Sequence, residues 1–244
     1  MDNVTAAKQL IKLLDLTALS ETDTEYSIVD LCRRAQTPYG NTAAICIYSR
    51  FLSTARRELK GTDIKIATVV NFPQGGHDLK QISKETETAL HDGADEIDAV
   101  FPYHDFLEGQ YQHCLAFLRT MTELCEGKTL KIILETGELG NTSTIREASK
   151  MALDSNVGFI KTSTGKTKVS ATYEAANIML ETINSNKYKT GFKASGGIRN
   201  TIDAKQYLIL AETIMGSGWI CPDKFRIGAS SLLNDLLLTI KRGY

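Results

Sequence analysis

Five cysteines, Cys32, Cys46, Cys114, Cys125 and Cys221, are scattered along 244 residues without a CxxC pair. An odd number at such spacing fits neither a disulfide framework nor a zinc site. A cytoplasmic protein with reduced thiols is the simplest reading. Charge excess is missing too: 28 basic residues stand against 29 acidic ones, a net charge of −1. Neither nucleic acid nor an anionic membrane is recommended as a partner by that balance. No apolar run approaches the ~20 residues of a membrane span. The opening MDNVTAAKQL lacks the basic and apolar regions of a signal peptide. Only four prolines and no Ser/Gly-rich linker occur, so residues 1–244 read as one domain.

What is present is a rhythm. Eight short apolar runs, many rich in Val and Ile, end in polar or small residues: 13–17, 43–49, 64–72, 95–102, 130–137, 157–163, 190–197 and 224–231. Near-continuous apolar runs suit strands covered by helices. Helical patterns lie between them, as at 78–93, 142–155, 172–185 and 231–242. Gly93 stands where a helix C-terminus is expected, and Lys241 and Arg242 suit the last turn of the final helix. Positions 15 and 228 are seven strand steps apart, roughly 30 residues per step, as a (β/α)8 TIM barrel of ~250 residues requires. A doubly wound sheet is the competing α/β arrangement. The regular alternation, without a GxGxxG after the first strand, counts against it.

In such a barrel the C-terminal strand ends carry the chemistry. Here they supply Asp15, Thr17, Cys46, Asn71, Asp98, Glu135, Lys161, Lys193, Ser230 and Ser231. Alternation then sorts the side chains. With Lys161 inward, Phe159 is inward and Ile160 meets the helices. With Asp98 inward, so is Glu96. Lys131 shares the inward face with Ile133 and Glu135. That interior is far more charged than the aliphatic filling of a purely structural barrel.

A lone strand-end lysine usually snorkels to solvent. Two, Lys161 and Lys193, on consecutive strands and flanked by Phe and small residues reverse that expectation. Neighbouring strands lie ~4.8 Å apart, so the two amines repel and one pKa must fall, with partial burial pushing the same way. A lysine at ~10.4 is protonated near neutrality; a depressed one attacks a carbonyl and forms a Schiff base. The protonated imine is an electron sink, so a C–C bond β to it can break without metal or cofactor. Asp98 is placed to move the protons. Other readings are blander: Glu135 and Lys131 as a structural ion pair, Cys46 as a small core hydrophobe, Asn71 as a loop bridge. The loops ASGGIRN (194–200) and GASS (228–231), with Lys166, offer glycine N–H groups, a charge and a helix start to a phosphate.

The segments LLDLTAL, TPYGNTAAICIYSRF, ATVVNFPQG, GADEIDAVFPY, ETGEL, FIKTSTGK, GFKASGGIR and RIGASSLL follow one another in this order over nearly the whole chain. Together they resemble the 2-deoxyribose-5-phosphate aldolase family. The resemblance implies reversible cleavage of 2-deoxy-D-ribose 5-phosphate to acetaldehyde and glyceraldehyde 3-phosphate. It implies Lys161 as the Schiff-base lysine, Lys193 as the second lysine and Asp98 as the proton-transfer carboxylate. The expected substrate contacts are Asp15, Thr17, Cys46, Asn71, Lys131, Glu135 and Thr162. The expected phosphate contacts are Gly165, Lys166, Gly196, Gly197, Gly228, Ser230 and Ser231. The family's usual GFKPAGG reads GFKASGG here, which bears on phosphate affinity rather than on the chemistry. Another phosphosugar barrel enzyme, or a non-catalytic sugar-phosphate binder, is the alternative; neither an isomerase nor a binder needs a depressed amine. A homodimer is expected, and Tyr244 is a candidate for folding over the rim.

Overall fold

The computed structural model describes residues 1–185 and 187–243; the expectation for Tyr244 lies outside them. Eight strands form the barrel: β1 Leu14–Ala18, β2 Ala44–Ile47, β3 Lys65–Val70, β4 Glu96–Val100, β5 Thr129–Ile133, β6 Phe159–Lys161, β7 Gly191–Ser195 and β8 Phe225–Ala229. Every neighbouring pair is parallel, and β1 closes the ring against β8, with Asp15 opposite Gly228. Eight main helices follow the strands in turn: α2 Glu25–Arg34, α3 Leu52–Glu58, α4 Leu79–His91, α5 Tyr111–Leu124, α6 Thr142–Asp154, α7 Tyr173–Ser185, α8 Thr201–Met215 and α9 Leu232–Arg242. An extra helix, α1 Asn3–Lys12, precedes β1 and packs on α8 and α9. The (β/α)8 TIM barrel is therefore the fold.

Local chemistry sets the helix starts. Asp78, Asn141 and Asn200 each accept a bond from the backbone N–H three residues on, which caps α4, α6 and α8. Thr24 and Ser27 form a reciprocal capping box on α2. The main core lies between sheet and helices. Leu14, Ile45, Ile66, Ile97, Ile132, Ile160, Phe192 and Ile227 belong to it, one from each strand. The alternate residues face the axis, where the only apolar cluster among the described residues besides that core is Leu19, Cys46, Ala67 and Val69. Most of the rest of the axis is ionic, with the Phe159 ring beside the Arg226 guanidinium.

Candidate active site

Seven charged side chains fill that axis, supplied by six strands. Asp15 comes from β1, Glu96 and Asp98 from β4, Lys131 from β5, Lys161 from β6, Lys193 from β7 and Arg226 from β8. All are at most 3 % exposed. Asp98 is the hub. Its Oδ1 accepts from Lys131 Nζ at 2.8 Å. Its Oδ2 accepts from Lys161 Nζ and from Lys193 Nζ, each at 2.8 Å. Lys193 also donates to Asp15 Oδ2. Below them Lys131 Nζ donates to Glu96 Oε2 at 2.5 Å. Arg226 then bridges Asp15, at 2.5 Å, and Glu96, at 3.0 Å.

The four cations are not held equally. Lys131, Lys193 and Arg226 each meet at least two carboxylates; Lys161 has one oxygen, and shares it. Burial disfavours the charged form of all four cations and so pushes each pKa down. For Lys161 burial wins: with Lys193 repelling it and Asp98 only partly opposing, its pKa falls below the ordinary lysine value. For Lys193 burial is outweighed by Asp15 and Asp98, and its pKa rises. Burial would raise Asp98, but the three lysines hold it well below the carboxylate range. The expected depression of Lys161 is present, with burial as its larger cause and Lys193 as the second. A buried amine of lowered pKa against an ionised carboxylate is the arrangement that carbonyl addition and proton transfer require.

A cavity of about 900 Å³ opens at the C-terminal rim. Thr17, Gly165, Lys166, Gly196, Gly197, Gly228, Ser230 and Ser231 all line it, with Arg199, which the sequence reading did not select. Gly196 and Gly197 hold φ of +93° and +81°, a left-handed pair that turns the chain around the cavity wall. Ser231 is the N-cap residue of α9, makes no side-chain capping bond and lines the cavity, so the positive end of that helix lies at the cavity wall. Lys166 reaches across the rim and donates to the Leu19 carbonyl at 2.6 Å.

Glu135 and Thr162 stand otherwise than expected, while Asn71 and Cys46 take the blander of their readings. Glu135 does not pair with Lys131. Its φ of +54° breaks the strand alternation. Its carboxylate instead accepts from the Thr164 N–H and hydroxyl and from the Thr167 hydroxyl at 3.2 Å. Thr162, one step past Lys161, falls on the opposite face. Its hydroxyl accepts from Ser195 N at 3.0 Å and from Ser163 Oγ at 3.2 Å and donates to Ser195 O at 3.1 Å, a strand tie that uses the donor and both acceptor sites. Asn71, also at φ +54°, donates to the Gly76 and Val100 carbonyls and accepts from Gly76 N. It is the loop bridge. Cys46 is buried, its thiol pushed up by that burial, and packs as a small hydrophobe. Lys131 and Asp15 lie fully buried as counter-ions within the axis. Gly228 has a second reason to be glycine: a Cβ there would lie 2.9 Å from Lys193 Cε and 2.8 Å from Ser195 Oγ. Arg226 went unselected, although alternation from Gly228 points it inward.

Fold and site together define a (β/α)8 barrel with a buried amine–carboxylate centre under a polar rim cavity. More particularly, the chain belongs to the DeoC/LacD family of aldolases, whose family model matches residues 9–237. It is similar to a candidate deoxyribose-phosphate aldolase from Coccidioides immitis. That likeness has 28% identity and a TM-score of 0.84, covering 93% of this chain and 85% of the other. A candidate deoxyribose-phosphate aldolase from Toxoplasma gondii ME49 shares the fold at 24% identity and a TM-score of 0.89, covering 98% and 97%. So does the tetrameric deoxyribose phosphate aldolase of Aeropyrum pernix, at 23% identity and a TM-score of 0.80, covering 100% and 98%.

Proposed function

We propose that this aldolase works through a Schiff base on Lys161 and reversibly cleaves 2-deoxy-D-ribose 5-phosphate to acetaldehyde and D-glyceraldehyde 3-phosphate. One observation carries the reading: of the four buried cations, Lys161 alone has a single, shared carboxylate oxygen, and it stands nearest the strand end. Its amine adds to the sugar carbonyl, and loss of water gives the protonated imine. That imine draws the electrons of the C2–C3 bond, one step removed from it, as the C3 hydroxyl gives up its proton through water and glyceraldehyde 3-phosphate leaves. The enamine is then protonated, and hydrolysis releases acetaldehyde. Asp98, within 2.8 Å of Lys161 Nζ, exchanges protons with the carbinolamine directly or through water. The imine itself is the electron sink, so the reaction asks for no metal or bound cofactor. Lys166, Gly197, Ser230 and Ser231 hold the phosphate at the rim.

Incubation with acetaldehyde and borohydride, followed by peptide mass measurement, tests this reading. The reduced adduct is expected on Lys161 alone and is abolished in Lys161→Ala. A label carried mainly by Lys193 overturns the assignment, and no label at all overturns the mechanism. The same reading takes the enzyme as a cytoplasmic homodimer; light scattering that returns the mass of one chain would refute the dimer.

A further inference from the structure

The floor of the axis has no part in the reaction just described, yet it is as fully charged as the top. Arg226 is 3 % exposed and Glu96 2 %. Neither touches the rim cavity. Arg226 instead lines a separate pocket at the other end of the barrel, with Lys12, Lys65, Asp63 and Asp223. A barrel that needed only filling would place aliphatic side chains there, since an isolated buried charge is costly and a buried pair is rarely more stabilising than packed hydrocarbon.

The charge count gives the floor a purpose. Along the axis, Asp15, Glu96 and Asp98 supply three negative charges, while Lys131, Lys161, Lys193 and Arg226 supply four positive ones. One proton too many is held in a medium that tolerates no net charge well. The proton most easily lost is that of the cation with the weakest hold. Lys131 is fixed by Glu96, Asp98 and Asp15; Lys193 by Asp15 and Asp98; Arg226 does not deprotonate in proteins. Lys161 remains. The groups facing it are Asp98 from β4, Lys193 from β7, Lys131 from β5, Cys46 from β2 and Glu135 beyond β5. Of these, the Cys46 thiol is neutral, and Glu135 stands outside the column, held by Thr164 and Thr167 with its pKa raised by burial, so that its influence is common to every variant below.

We propose that Arg226 and Glu96 are positioning residues that set the protonation state of Lys161 from the far end of the barrel, Arg226 as the permanent surplus cation and Glu96 as its partial counterweight. Arg226 acts through Asp15 and Glu96, which hold Lys193 and Lys131 against Asp98. The proposal rests on the Schiff-base reading for its consequence in catalysis, but not for its test.

The test is a set of pH profiles. Removing the cation, in Arg226→Met, leaves three charges of each sign; the Lys161 proton becomes harder to lose, and the acid limb of kcat/KM moves to higher pH. Removing the anion, in Glu96→Gln, leaves four against two, and the limb moves to lower pH. A unit charge acting over about 10 Å at an effective dielectric constant of about 20 gives a displacement of about one pH unit either way. The double variant Glu96→Gln/Arg226→Met, and Arg226→Lys, keep the balance and hold the limb near wild type. Loss of packing alone would lower activity without moving the limb in opposite directions. Thermal melts establish that each variant is folded, and the double variant remains informative where a single one is not. Lys161 is also read without catalysis, by the pH dependence of its carbamylation with cyanate, followed by mass. Opposite displacements in both readouts are expected. Limbs that stay together, or move the same way, overturn the proposal. If borohydride fails to trap wild type while the carbamylation profiles still separate, the fault lies with the Schiff-base reading and not with the charge balance.

Discussion

Asp98 receives three ammonium groups on two oxygens, so replacing any of the three changes what the others feel. In Lys193→Leu, Lys161 loses its nearest repelling charge but keeps its burial, the larger reason for its lowered pKa. The acid limb of kcat/KM therefore moves to higher pH, though short of an exposed lysine's ~10.4. Alkaline buffer restores part of the lost activity. Any deficit that persists at high pH measures proton donation by Lys193, for which roughly 10²–10⁴-fold is usual. An acid limb at the wild-type pH would remove the charge role altogether. Gly228→Ala approaches the same lysine without altering a charge. The added methyl group meets Lys193 Cε and Ser195 Oγ, and the flexible ammonium arm must give way. A misplacement of that order costs about 10²-fold. Steady-state cleavage rates check it, and an unchanged kcat/KM would show that Lys193 tolerates the shift.

Two elements carry the rim. The segment after β6 is tied down by Glu135 and by the bond from Lys166 to Leu19. The other element is α9, entered through Ser231. Ser231→Glu places a negative charge at the start of that helix, where the phosphate is proposed to sit. KM for the phosphorylated sugar is expected to rise by at least about tenfold, the equivalent of ~1.4 kcal/mol. KM for the dephosphorylated sugar and the acetaldehyde adduct on Lys161 stay as they were. Equal losses on both sugars would put the phosphate elsewhere.

Much of this was legible from residue order. Alternation placed Glu96, Asp98, Lys131, Phe159 and Lys161 correctly because each lies inside a regular strand, where parity is a geometric certainty. It failed one or two residues beyond a strand end. Glu135 and Asn71 take left-handed backbone there, and no sequence period describes that turn. Helix α1 lies ahead of the first strand, outside the strand–helix rhythm, and only the spacing of Ala6, Ala7, Leu10 and Ile11, its buried face, marks it in the sequence. Arg226 was passed over for a different reason. It sits two residues before the glycine that lines the rim, so it belongs to the floor, where chemistry was not sought.

For the whole molecule, the axis makes folding depend on pH at both extremes. Asp15 and Asp98 have folded pKa values held well below the unfolded ~3.9: burial opposes this, and the surrounding cations outweigh it. Their contribution is present above that value and is lost as pH falls below it. Lys131 and Lys193, raised by their carboxylates against the effect of burial, contribute below ~10.4 and lose that contribution as pH climbs through their folded values. Lys161 works the other way. With its folded pKa lowered, it costs stability at neutral pH and returns it as pH rises toward ~10.4. Urea unfolding across the acid range should show stability falling below about pH 4, and a shallower fall in Asp98→Asn. An identical slope in that variant would mean that other carboxylates govern acid unfolding.

An ionic axis inside an aliphatic ring also divides the molecule's response to heat. Water solvates ions less favourably as temperature rises, so the cost of keeping seven charged groups dry shrinks on warming, while the gain from buried hydrocarbon levels off. The barrel wall is thus the part suited to moderate temperature, and the column of charge becomes relatively cheaper to keep when the protein is hot. Exchanging Glu96 and Arg226 together for methionines should therefore help, or do little harm, in the cold, and compare progressively worse with the parent as the melting region is approached. Across stability curves measured over the full temperature range, the difference between the two proteins would shift steadily against the methionine variant on heating; a constant separation would mean that the charges respond to heat no differently from the hydrocarbon around them.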